Sequence, residues 1–246
     1  MNNTNKWLIV IFAIFLCQQV MAQNNQTQNN QGTITLSFIP NVAGKPLVLN
    51  DSSYTNPFDE IYQISKFRFY VSQVSAKDKQ RSQKEKNSYH LVDAADPSSL
   101  QFSFSLKPGK YNSIDFLLGV DSVRNFSGAQ TGELDPVKDM FWTWNSGYVM
   151  LKLEGRSTAS TALNNRIEYH IGGYSGAFNT IKKIHLDVNF EIVAGKSVSL
   201  PIKTDINTLW QGAHDIRIAA SPVCAIPCAL AMQIADNYSK MFSIIK

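Results

Sequence analysis

Cysteine is scarce in this chain, with three residues in 246. Small scaffolds built on disulfides devote far more of their length to cysteine, so that class is excluded. Charge is also scarce. Asp, Glu, Lys and Arg make up 17% of residues, and 23 basic side chains against 19 acidic ones leave a formal net charge of +4. A nucleic-acid binder concentrates far more positive charge, and no nucleic-acid partner is expected. The common catalytic motifs are missing as well. There is no Gly-x-Ser-x-Gly elbow, no phosphate-binding loop, no His-Glu-x-x-His and no dinucleotide-binding glycine fingerprint. Four histidines, His90, His170, His185 and His214, could each be drawn into a triad on paper. None is singled out by a motif, so a role other than catalysis is expected. The composition that remains, 44% hydrophobic and 11% aromatic, is that of an ordinary stable globular domain.

The first 22 residues read as a secretory signal. Lys6 is the one charged residue before Lys45. An unbroken apolar run, Trp7 to Leu16, follows it, and Val20-Met21-Ala22 offers a cleavage site. The run is too short for an ordinary transmembrane helix, and no stable membrane anchor is expected. Leu16 before Cys17 does not suit lipidation, so plain cleavage after Ala22 is the expectation. Gln23 to Gln31 is uncharged and rich in Asn and Gln, which reads as a flexible leader. The remainder, residues 32–246, reads as one domain without an obvious linker.

From Thr33 the hydrophobic period is two. Thr33-Ile34-Thr35-Leu36-Ser37-Phe38 alternates polar and apolar, and Phe67, Phe69 and Val71 share one face of Ile64 to Ser72. Further strands are expected over His90–Val92, Phe102–Leu106, Ser113–Leu118, Tyr148–Glu154, Arg166–Ile171, Ile181–Ile192, Ser197–Ile202 and His214–Ala219. Turns are expected at Lys107-Pro108-Gly109-Lys110, Glu154-Gly155, Gly172-Gly173 and Ala194-Gly195-Lys196. Lys77 to Lys86 reads as a solvated hairpin loop. Many short strands with Gly and Pro between them predict an all-β fold, an antiparallel β-sandwich. Helical spacing of Leu230, Ile234, Met241 and Phe242 predicts a C-terminal helix over Ala229 to Ile244, packed on the sandwich.

One segment is unlike a generic strand. Gly132 to Tyr148 carries Met140-Phe141-Trp142-Thr143-Trp144-Asn145-Ser146-Gly147-Tyr148. In a strand, Trp142 and Trp144 project from the same face. An aromatic core plug would account for the rings. The crowded polar residues Asp139, Asn145 and Ser146 suit a plug less well.

The run from Leu134 to Gly155 resembles the signature of the MbnP-like copper-binding proteins. Three other stretches resemble the same family: Ile64 to Ser72, Asp115-Phe116-Leu117-Leu118-Gly119-Val120-Asp121, and Tyr169-His170-Ile171-Gly172-Gly173. The resemblance implies a secreted or periplasmic β-sandwich that holds copper. It implies that a tryptophan is oxidised to kynurenine and joins histidines at the metal, and that a di-haem peroxidase-like partner performs the oxidation. His170 matches the family's His-x-Gly position and is the leading metal ligand. Trp142 and Trp144 are the candidates for oxidation. His214 and His185 are available as further ligands, although no motif places them. Imidazole suits copper. An intact indole nitrogen is only a donor, whereas ring opening would expose an aromatic amine.

Cys224-Ala225-Ile226-Pro227-Cys228 is a second constellation. Pro222 and Pro227 keep it from forming a regular helix, so the sulfurs can approach. An oxidising compartment favours a disulfide between them. The alternative is a pair of thiolates holding Cu(I). The rival to a copper protein is a sandwich that presents loops to a glycan or a protein partner. Export itself has a direct test. N-terminal sequencing of the protein from its native host is expected to begin at or near Gln23, and an intact Met1 or a lipidated Cys17 would contradict this.

Overall fold

The computed structural model describes residues 30–143 and 146–245. Expectations for residues 1–22, for most of the leader and for Trp144 and Asn145 fall outside the described residues. Fifteen strands lie within the described residues. The first eight are β1 (Gly32–Val42), β2 (Lys45–Pro46), β3 (Ser53–Thr55), β4 (Ile61–Lys77), β5 (Ser82–Lys84), β6 (Tyr89–Asp93), β7 (Gln101–Leu106) and β8 (Gly109–Leu118). A short helix, α1 (Ser122–Phe126), precedes β9 (Phe141–Thr143), β10 (Gly147–Ser157), β11 (Arg166–Gly172), β12 (Lys182–Ile192) and β13 (Ser197–Asp205). The chain ends in β14 (Val223–Cys224), α2 (Ala229–Tyr238) and β15 (Phe242–Ile244).

These strands form two sheets. The smaller runs β15-β13-β1-β2, with β7 also on β1. The larger runs β12-β8-β4-β10-β11-β14, with β3, β5 and β6 on β4 and β9 on β10. The alternation of β1 does what its sequence predicts: Ile34, Leu36 and Phe38 are buried and the residues between them are half-buried. Phe38 meets Phe69 of the facing sheet at 5.6 Å and Phe116 at 6.0 Å between ring centroids, and Phe242 of β15 meets Phe116 at 5.1 Å. Such edge-on aromatic pairs, with the aliphatic side chains around them, form the core between the layers. Among the described residues, no helix is long and apolar enough to cross a membrane.

The β-sandwich with a C-terminal helix is present, and it differs from the sequence expectation in several places. First, the sheets are mixed. β1 pairs with β13 in parallel, and β11 with β14 in parallel, beside many antiparallel pairs. Second, His214–Ala219 is not a strand. Its order comes from Glu60, whose carboxylate accepts from the amides of Ile218 and Ala219, and from one isolated bridge between Gln211 and Asp215. Third, the C-terminal helix stops at Tyr238, and the chain then extends so that Phe242 reaches the aromatic core.

Fourth, Glu154-Gly155 is not a turn. It lies inside β10, where the pairing with β4 shifts: Glu154 pairs with Lys66 but Gly155 pairs with Ile64. Ser65 is the extra residue of a bulge, and it reverses which side chains of β4 face the core. Tyr62 and Ile64 are buried before it, and Phe67, Phe69 and Val71 after it. A Cβ on Gly155 would stand 1.9 Å from the carbonyl oxygen of Gln63, so the crossing demands glycine. Gly155→Ala is therefore expected to lower stability by about 1–3 kcal/mol through overpacking. Equilibrium denaturation measures this, and an unchanged midpoint would contradict the account of the bulge.

Candidate metal centre

The outer face of the larger sheet is covered over β4 and β10. After α1, the chain runs back across β4 and β10 before it enters β9. Alternate outward residues of these strands hold this strap. Tyr70 donates from its hydroxyl to the Glu133 carbonyl at 3.0 Å, and Tyr148 donates to the Leu134 carbonyl at 2.7 Å. Arg68 donates to the Lys138 carbonyl at 3.1 Å. Each of the two tyrosine bonds contributes about 0.5–1.5 kcal/mol. Leu134 and Met140 of the strap are buried beneath it. Lys152, at the centre of β10, is only 3% exposed for this reason. Its ammonium donates to the Asp139 carbonyl and stands 2.9 Å from the Asp139 carboxylate. Asp139 adopts φ 57°, a left-handed conformation that aspartate tolerates and that turns the chain into β9. Burial works against ionisation of Asp139, but Lys152 and Lys66 outweigh it and hold the carboxyl below the usual carboxylate range.

The strap delivers the aromatic hairpin. Thr143 pairs with Gly147 and Phe141 with Tyr148. Trp142 is half-buried, and its ring lies over β11 at Gly172. A Cβ on Gly172 would stand 2.6 Å from Cζ3 and 2.9 Å from Cη2 of that ring. Gly172, expected to mark a turn, is the last residue of β11, and it seats the tryptophan.

His170 precedes Gly172 by two residues on β11, where buried Ile167, Tyr169 and Ile171 alternate with half-exposed Glu168 and His170. Residues two apart share a face. His170 and the Trp142 ring therefore occupy the same outer face, about 7 Å apart along the strand. His170 Nε2 is hydrogen-bonded to Glu154 Oε1 at 2.8 Å, and Nδ1 stands 3.9 Å from Glu168 Oε1. The other oxygen of Glu154 is 3.2 Å from Lys66, which also bonds Asp139 at 3.3 Å. Burial raises the cost of ionising Glu154, yet the bonds from His170 and Lys66 hold its carboxyl below the ordinary value.

The other histidines stand elsewhere, each with its own carboxylate. His214 lies on the loop after β13, and its Nε2 is 3.1 Å from Asp236 of α2; it does not join His170. His185 lies on β12 between Asp115, at 2.5 Å, and Asp187, at 3.1 Å. The bond to Asp115 is the main reason its imidazole is held above the ordinary range. His90 stacks on Phe102 at 3.5 Å and bonds Glu85 at 2.9 Å. Among the described residues, no three or more His, Cys, Asp and Glu side chains gather as a ready metal cage. Trp144 lies outside the described residues.

Cys224 and Cys228 do come together. Their sulfurs are 3.6 Å apart as unbonded thiols, with Cys228 at the N-cap of α2. Cys224 pairs in register with Tyr169, beside His170 in sequence, but is buried as Tyr169 is. Burial pushes the Cys224 thiol up to about 12, so at neutral pH it is not a thiolate.

Sequence reasoning missed Glu154, Glu168 and Lys152, and it marked Asp139 only as a polar neighbour of the tryptophans. The alternation of β10 carried a signal for the first and third, because Lys152 and Glu154 fall on the face opposite Leu151 and Leu153. No local pattern pairs them with residues of β11 or of the strap.

The MbnP family model matches residues 31–226. The solved structure of MbnP from Methylosinus trichosporium has the same fold, with a TM-score of 0.59 and 12% sequence identity, over 82% of this chain and 87% of that one. No curated protein sequence matches the chain. The family match takes in the larger sheet, all of the smaller one except β15, the tryptophan hairpin, His170 and the first of the paired cysteines, and the chain belongs to the MbnP family.

Proposed function

We propose that this protein is an exported copper-binding protein, periplasmic or secreted, and that it holds the metal on the outer face of the larger sheet. The observation that carries this reading is the juxtaposition on β11: His170 and the seat of Trp142 are two residues apart on one face. The donor chemistry fits copper in kind. An imidazole nitrogen stands beside a carboxylate, and both are accepted by a copper ion of the oxidised state. Bound copper would supply a tightly held, redox-active ion for capture, storage or delivery. The chain's own residues do the positioning. Lys152 and Asp139 fix the strap, the strap fixes Trp142, and Glu154 fixes His170.

A further donor comes from Trp142 or Trp144 after oxidation to kynurenine. This requires an oxidising partner, which we take to be a di-haem peroxidase-like enzyme. His214 stays with Asp236 on this reading and is not a ligand. The cysteine pair closes as a disulfide after export and is structural rather than metal-binding. The role is binding, not catalysis.

A second reading has one specific observation behind it. A cavity of about 400 Å³ opens beside β6, lined by Arg68, His90, Asp93, Ser98 and Phe102 among others. Its largely polar lining, with the ring of Phe102 stacked on His90, suits a glycan better than a metal.

One variant tests the copper reading. His170→Ala is expected to lose most copper from protein purified from the native host while its thermal unfolding stays close to wild type. Peptide mass spectrometry of the same wild-type sample is expected to show kynurenine at Trp142 or Trp144. Copper retention unchanged in His170→Ala would reject the ligand, and two unmodified tryptophans in copper-loaded protein would reject the oxidised donor.

A further inference from the structure

We propose that Glu154 is the positioning residue of this site: by accepting the Nε2 proton of His170 it leaves Nδ1, turned toward Glu168, as the metal-binding atom. The proposal rests on the reading of His170 as a ligand and adds which nitrogen binds and what orients it.

Three contacts carry it. Glu154 Oε1 is 2.8 Å from Nε2, a full hydrogen bond, so that nitrogen is engaged. Glu154 Oε2 is engaged by Lys66 at 3.2 Å, which keeps the carboxylate from turning away. Among the described residues, Nδ1 has no such bond. Glu168 Oε1 stands 3.9 Å from it. Metal–imidazole and metal–carboxylate bonds are each about 2.0–2.2 Å. A gap of 3.9 Å between the two donor atoms is thus within reach of one ion touching both. Glu168 is thereby the second donor, and a nitrogen–oxygen pair favours Cu(II) over Cu(I).

The arrangement also links His170 to the tryptophan. Lys66 bonds both Glu154 and Asp139, and Asp139 ends the strap that leads into Trp142. Ligating histidines usually give their second ring N–H to a carboxylate, and removal of that partner typically weakens metal affinity 10- to 100-fold.

Two measurements test this on metal-free protein prepared from the native host. The first is the ¹H–¹⁵N spectrum of the His170 ring. A proton on Nε2 with bare Nδ1 is expected, and a proton on Nδ1 with bare Nε2 would overturn the proposal. The second is competitive titration with Cu(II) against a chromophoric chelator. Glu154→Ala is expected to bind about 10- to 100-fold more weakly. Glu154→Gln, whose amide oxygen accepts the same N–H, is expected to recover most of that loss. Wild-type affinity in Glu154→Ala, together with lost binding in His170→Ala, would overturn the positioning role and leave His170 as a ligand. Wild-type affinity in His170→Ala would overturn both. Should Glu154→Ala fail to fold, the wild-type ring spectrum still decides.

Discussion

A buried ammonium organises this molecule's outer face. Lys152 sits in the middle of a central strand, 3% exposed, and an uncompensated charge there would be costly. Asp139 compensates it with a carbonyl and a carboxylate. Asp139 is itself 63% exposed on its side chain, so water shares in solvating the pair, and the desolvation cost is smaller than for a fully buried one. The pairing is more than a local bond. It fixes the end of the strap, and the strap sets where the chain turns into β9. Lys66 extends the same network to Glu154, and Glu154 extends it to His170. The ring of Trp142 and the ring of His170 are thus positioned by one connected set of charges.

The second constraint is steric. Two glycines decide where backbone and ring can approach. Gly155 admits the carbonyl of Gln63 at the bulge, and Gly172 admits the indole of Trp142. A side chain at the first would displace β4 from β10. A side chain at the second would displace the hairpin from the face that carries His170. The outer face therefore depends on small residues as much as on charged ones, and the family match includes both.

Much of the scaffold was legible in the sequence because burial on one face of a strand leaves a period of two. Ile34, Leu36 and Phe38 announce β1, and Phe67, Phe69 and Val71 announce the later half of β4. The aromatic run from Met140 to Tyr148 marked the unusual hairpin, and the His-x-Gly of β11 marked His170. What was not legible depends on partners distant in the chain. The parallel pairing of β1 with β13 joins segments about 160 residues apart, and no local pattern encodes it. His214–Ala219 alternates like a strand but is held by Glu60 instead. Glu154-Gly155 has turn chemistry, yet its glycine serves a bulge. The carboxylates bonded to Nε2 of His170 and of His214 lie on other elements of the fold, so the sequence located His170 without locating Glu154.

The central claim is that this face holds copper in the exported protein. Metal analysis of the protein isolated from the envelope or medium of its own host tests that most directly, because the oxidising partner is then present. The account predicts processed protein that retains copper through purification. Processed, folded protein that carries no copper and takes none up when it is supplied would contradict it.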